Sequence, residues 1–96
     1  DVLQSASRLD DIPLIVDFWA AWCGPCRMMA PEFSKAAKTL KGTARFAKLD
    51  TEAVQQAGKR YGIRGIPLMI GFHRGRETKR HAGAMPAADI VAWVKK

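Results

Sequence analysis

Ninety-six residues, 48% apolar and 26% charged, suit one globular domain with a single core; there is no apolar run of membrane-spanning length, no signal-peptide shape at the N-terminus and too few cysteines for a secreted disulfide framework. The net charge of +7 is uneven, with seven basic and seven acidic groups in residues 1–57 but nine basic and two acidic (Glu77 and Asp89) in residues 58–96. No Gly-rich phosphate loop or aromatic-interleaved basic run accompanies it, so the second half reads as a solvated basic face and not as a nucleic-acid surface.

Taken in order, Val2, Leu3, Ala6 and Leu9 at helical spacing predict a short first helix ending at Asp10-Asp11. Leu14 to Ala20 is a continuous apolar run of strand length, as expected for a strand buried on both faces, with Asp17 the one exception. A helix is predicted from Pro25 to about Leu40, with Cys26, Met29, Phe33, Ala37 and Leu40 inward, a kink at Pro31 and an end at Gly42. Ala44 to Leu49 reads as the next strand. Thr51 is the expected cap of a helix from Glu52 to about Arg60, with Val54, Ala57 and Tyr61 inward. Leu68 to Phe72 and Glu77 to Ala82 are strands joined by a turn at His73-Arg74-Gly75-Arg76, and Pro86 opens a last helix that packs through Ile90, Trp93 and Val94. The order α, β, α, β, α, β, β, α predicts an α/β fold: a mixed sheet with helices on both faces, parallel at first and antiparallel at the closing hairpin.

The chemistry concentrates in Trp22-Cys23-Gly24-Pro25-Cys26, which holds the only two cysteines. A Cys-x-x-Cys between a strand end and a helix start is a redox motif. The first cysteine meets unpaired N–H groups and the positive end of the helix dipole, which favour its thiolate. The second lies one turn on, close enough to form a disulfide, to release a mixed disulfide on Cys23 and to be shielded on the apolar face. Pro25 suits the first helical turn, and Gly24 keeps the surface low beside Cys23. The competing reading, half of a zinc site, needs two further ligands. Only His73 and His81 remain, at unsuitable spacing. Asp17 in its apolar strand should have a raised pKa, which suits a group that moves a proton near Cys26; the alternative is a structural ion pair.

Four blocks then carry a resemblance: Val16 to Cys26, Ala47-Lys48-Leu49-Asp50, Tyr61 to Pro67, and Ala82-Gly83-Ala84. Over nearly its full length the chain resembles the thioredoxin family. The stretch Ala44 to Ala53 is similar to the second, zinc-carrying bacterial type, whose additional cysteine-bearing segment is absent, so no metal is expected. The resemblance implies the thioredoxin fold, Lys48 as the partner of the buried Asp17, and Pro67 as a cis-proline facing the disulfide. It also implies a mostly apolar substrate surface made by Trp22, Gly24, Ile66, Pro67, Gly83 and Ala84. Trp22 could instead be packing, while Trp19 and Trp93 are assigned to the core.

Two departures stand out. The family usually has a strand before the first helix, so either the sheet lacks it or the domain 1–96 belongs to a longer chain. Leu68 replaces the usual threonine after the motif proline. The expected activity is protein-disulfide reduction through the Cys23–Cys26 dithiol, without a bound cofactor. A thioredoxin reductase would supply electrons to a monomer in the cytoplasm, the alternatives being the periplasm or a place in a larger protein. An oxidase or isomerase of the same fold, or a binding module with an incidental cysteine pair, are the competing functions.

Overall fold

The structure, a computed structural model, describes residues 2–96. Its elements are α1 (Val2–Ala6), β1 (Leu14–Trp19), α2 (Gly24–Thr39), β2 (Arg45–Asp50), α3 (Gln55–Arg60), β3 (Leu68–His73), β4 (Arg76–Ala82) and α4 (Ala87–Lys95). Among the described residues they build one four-stranded sheet in the order β2-β1-β3-β4. β1 runs parallel to β2 and antiparallel to β3, and β3 and β4 form the antiparallel hairpin. This is the predicted mixed sheet, with β2 and β4 at its edges.

The alternation of side chains along β1 divides the core in two. Leu14, Val16 and Phe18 pack with Leu68, Ile70 and Phe72 beneath α1 and α3. Tyr61 closes that side, its ring centroid 5.7 Å from both Phe18 and Phe72. Ile15 points the other way and packs with Met29, Phe33 and Ala36 of α2 and Ile90 of α4. Burying each large side chain of this kind stabilises the fold by roughly 1.5–3 kcal/mol. Asp17 and Trp19 follow Ile15 at period two, so they share its face, beneath the first turns of α2.

Three local expectations give way. α1 stops at Ala6, and Leu9 is 77% exposed. Ser7 there turns its hydroxyl to the β3–β4 hairpin, accepting the Gly75 N–H at 2.7 Å, while its own N–H donates to the Leu3 carbonyl at 3.0 Å. α3 begins at Gln55, not Glu52, with Val54 at its N-terminus and no side-chain cap. Thr51 is not a cap because its hydroxyl and N–H both donate to the Trp19 carbonyl, at 3.0 and 2.9 Å. On α2 the buried residue of the fourth turn is Ala36 and not Ala37, and Pro31 lies inside the helix. The hairpin turn falls where predicted, with Arg74 and Gly75 at φ of 53° and 85°.

Candidate functional site

The strand β1 ends at Trp19, and the loop Ala20 to Trp22 lifts the chain onto α2. Cys23 is the N-cap of that helix: its Sγ accepts the Cys26 N–H at 3.2 Å, and Pro25 occupies the first turn. The cap position places the sulfur at unpaired helix N–H groups, so negative charge on it is stabilised when the thiol ionises. Cys23 and Cys26 are joined by a disulfide with their Cα atoms 5.2 Å apart. They pack with Ala20 and, at the margin, with Trp19 and Ile66.

Burial does not separate the two cysteines, contrary to the shielding expected for Cys26 alone. They are 4% and 2% exposed, and Ile66, partly buried itself, packs against the pair. Their difference lies in hydrogen bonding, since the Cys23 sulfur is the one held by a helix N–H.

The Ile66–Pro67 peptide is cis, and the Ile66 carbonyl oxygen lies 3.7 Å from the Cys23 Sγ. The Gly83 N–H donates to the Pro67 carbonyl at 2.9 Å, with Gly83 at φ of 99°, a conformation that favours glycine. Of the predicted surface residues, Trp22, Ile66, Gly83 and Ala84 sit on three loops, two of them joined by this bond, and Gly24 is the first residue of α2. Pro67 itself and Leu68 are buried. From Ala84 a groove of about 380 Å³ continues past Met28, Met29, Met85 and Pro86. Met28 is 75% exposed. Sequence reading passed over Met28 and Met85; the signal available for Met28 was an apolar side chain two residues beyond Cys26, off the buried face.

Asp17 is fully buried, and neither carboxylate oxygen has a hydrogen-bond partner among the described residues. Burial pushes its pKa up to about 6, against the opposing attraction of Lys48. Lys48 is the register neighbour of Asp17 across the β1–β2 ladder. Its ammonium is not bonded to the carboxylate but lies 4.9 Å from the centroid of the Trp19 ring, at the exposed edge of the same face. Asp17 and Lys48 are thus neighbours across the ladder, with the carboxyl in the dry position and the ammonium in the wet one, and Trp19 beside Lys48 packs at the margin of the disulfide.

The histidines are engaged elsewhere. His73 Nε2 is 2.6 Å from the Asp11 carbonyl oxygen, and the His81 ring stands edge-on to Trp93 with centroids 6.4 Å apart. Glu52, predicted to sit in a helix's first turn, instead accepts the indole N–H of Trp22 at 2.7 Å. Nothing local in the sequence signals that bond, because thirty residues separate the partners.

Residues 3–96 match the family model described as thioredoxin. The chain is 38% identical over 86 residues to thioredoxin 1 of Nostoc sp., spanning 90% of this chain and 80% of that protein. It is 38% identical over 96 residues to the chloroplastic M-type thioredoxin of Chlamydomonas reinhardtii, covering all of this chain and 69% of the relative. Its backbone superposes on a crystal structure of chloroplastic thioredoxin z with a TM-score of 0.87 at 32% identity, over 98% of this chain and 85% of the other.

Proposed function

The chain belongs to the thioredoxin family and is a thiol-disulfide oxidoreductase, and from that premise we propose that it reduces protein disulfides with Cys23 attacking and Cys26 resolving. The observation that carries the division of labour is the cap geometry, in which the Cys23 sulfur accepts the Cys26 N–H at the start of α2. In the reduced protein this position favours the Cys23 thiolate. The thiolate attacks one sulfur of the substrate disulfide; the new S–S bond forms as the old one breaks, and the departing substrate thiolate takes up a proton. Cys26, deprotonated, then attacks the Cys23 sulfur and releases the second substrate thiol, which leaves the Cys23–Cys26 disulfide. Two electrons pass from the dithiol to the substrate.

On this reading Asp17 takes the Cys26 proton. Its face, fixed by the alternation along β1, lies under the first turn of α2, and a carboxyl with a pKa of about 6 is mostly ionised at neutral pH yet still basic enough to accept a proton. Lys48 tunes that carboxyl from its outer side. Trp22, Gly24, Ile66, Pro67, Gly83 and Ala84 form the low, mainly apolar surface on which an extended substrate segment rests, with the Ile66 backbone beside the reacting sulfur. The reading includes a thioredoxin reductase as electron donor and a reducing compartment, the cytoplasm; these rest on family membership.

The test is trapping. Incubated with a disulfide-containing protein, the Cys26→Ser variant should accumulate a mixed disulfide on Cys23, seen on non-reducing gels and located by mass spectrometry. Cys23→Ser should form none. Adducts on Cys26 in the Cys23→Ser protein, with none on Cys23 in the other variant, would reverse the roles. The direction is read from the reduction potential: a value near −270 mV, typical of thioredoxins as a family, fits reduction, whereas one near −120 mV fits an oxidase.

A further inference from the structure

The flank of α2 that carries Met28 is not part of the helix's buried stripe. Cys26, Met29, Phe33 and Ala36 face the core, whereas Met28 is 75% exposed. Met28 and Glu32 stand at i and i+4, so they share that flank. Glu32 shows what the flank faces. Its Oε1 accepts the Ala87 N–H, at the start of α4, at 3.0 Å, and its Oε2 accepts the Lys35 ammonium at 3.3 Å. The first turn of α4 is thereby tied to α2, and the segment before it, Ala84-Met85-Pro86, lines the opposite side of the groove of about 380 Å³. The buried Met29 also lines it, and the half-buried Met85 packs against the cluster that holds Met29. The groove begins at Ala84, next to Gly83, whose N–H bonds the Pro67 carbonyl. It is therefore continuous with the surface beside the disulfide.

We infer that this groove is a side-chain subsite for the substrate protein: it takes a large apolar side chain carried roughly two or three residues from the reacting cysteine. The inference rests on the disulfide-reductase reading. Reach agrees with this occupant. Met28 lies five residues beyond Cys23, which is about 7.5 Å along a helix axis. An extended chain covers about 3.3 Å per residue, so a side chain two or three positions from the substrate's cysteine comes level with Met28. Chemistry agrees as well. Three thioethers and a proline ring line the groove, and the Glu32 carboxylate has both oxygens already engaged. The lining thus offers apolar contact and no free charge. Unbranched methionines re-pack around side chains of different shape, which suits a surface that meets many substrates. Glu32 is a positioning residue here: it holds the start of α4, and with it the far wall, against α2. At its exposure Met28 adds little to the core, so changing it tests binding and not folding.

The experiment follows oxidation of the fully reduced protein by an excess of short glycine-serine peptides, each joined as a disulfide dimer through one cysteine. The peptides differ at one position, which holds leucine, aspartate or glycine and lies two or three residues to either side of the cysteine. For the parent, the second-order rate constant should be about five- to twentyfold higher for the best leucine peptide than for its glycine counterpart, chiefly through a lower half-saturating concentration. Aspartate should give no gain. In Met28→Asn the leucine advantage should shrink to less than about twofold, and Met28→Leu should restore most of it. Glu32→Ala, which frees the start of α4, should reduce the advantage, and Glu32→Gln, whose amide oxygen can accept the same N–H, should keep it. A variant that merely weakens the fold would slow all peptides alike, so the ratio and not the rate is the readout. Equal rate constants for leucine and glycine at every position in the parent, or a leucine advantage undiminished in Met28→Asn, would overturn the inference. A parent that reduces none of the peptides would overturn the reductase reading, and the inference with it.

Discussion

Asp17 and Ser7 are the polar side chains among the described residues with no exposed surface, 0% each, and the fold treats them in opposite ways. Ser7 sits at the joint between α1 and the β3–β4 hairpin. Its hydroxyl donates to the Gln4 carbonyl at 2.7 Å and accepts the Gly75 N–H at 2.7 Å. Asp17, in the middle of β1, has two carboxylate oxygens and no hydrogen bond to either. Structural polar groups are normally satisfied when buried, because leaving one unpaired costs stability. A carboxyl left dry and unpaired is hard to explain as part of the scaffold. It is easily explained as a group whose pKa has been moved toward neutrality for proton transfer.

The largest effect on stability is expected where the comparison is sharpest, at Asp17, and its sign is a gain. Folding raises this carboxyl from 3.8 to about 6, so the folded state holds the proton more tightly. Below about pH 4 the carboxyl is neutral in both states and the penalty is absent. As the pH rises through 6 the fold must carry a buried charge, and stability falls by an amount on the order of 3 kcal/mol. Asp17→Asn removes that charge but buries an amide with no ready partner, so the net gain above pH 6 should be roughly 1–3 kcal/mol. The gain should vanish toward pH 4. Urea unfolding of the oxidised protein across this range measures it. The same variant should slow release of a mixed disulfide by roughly tenfold or more while attack is nearly unchanged. Single-turnover kinetics that show no change in release would leave Asp17 as an unexplained buried acid.

Ser7→Ala should act with the opposite sign. Gly75 is buried, and the Ser7 hydroxyl is the acceptor of its N–H. Orphaning that donor should cost roughly 2 kcal/mol. The loss should be the same at acid and neutral pH, and disulfide reduction should be unaffected. A pH-dependent loss, or one accompanied by impaired reduction, would break the contrast between a joint and a reaction site.

How much of this was legible before the structure follows from the range of the interactions. The strand around Asp17, the cysteine pair, the helix after it and the turn at Arg74-Gly75 all rest on neighbouring residues, and each was readable. The raised pKa of Asp17 was readable too, because a carboxyl in a six-residue strand buried along nearly its whole length has nowhere wet to go. What failed depended on distant partners. Thr51 has the chemistry of a cap and was given that role, but the Trp19 carbonyl, thirty-two residues away, takes its hydroxyl. The Ser7 hydroxyl bonds a glycine sixty-eight residues away. Ile66, brought over from beyond α3, packs against Cys23 and Cys26. The Trp22–Glu52 bond is of the same kind.

The smallest effect is expected at a third polar joint, which tests whether burial or the number of bonds decides the cost. Lys79 on β4 sends its ammonium to the end of α4, where it donates to the carbonyls of Trp93 at 2.9 Å, Val94 at 3.4 Å and Lys96 at 3.0 Å. It also lies 5.4 Å from the Trp93 ring centroid. By count this joint is richer than the one at Ser7. Yet Lys79 is only half-buried, and carbonyls freed at a helix C-terminus can turn to water. Lys79→Met keeps an apolar stem over Trp93 and removes the charge. It should cost about 1 kcal/mol or less, and the difference from the parent should shrink as salt screens the attraction between the ammonium and the negative end of the helix dipole. Ser7→Ala, a neutral change in a dry site, should show no such salt dependence. Urea midpoints for both variants at low and high ionic strength decide the matter. A loss at Lys79 as large as that at Ser7, and unmoved by salt, would mean that the count of bonds outranks burial in this fold.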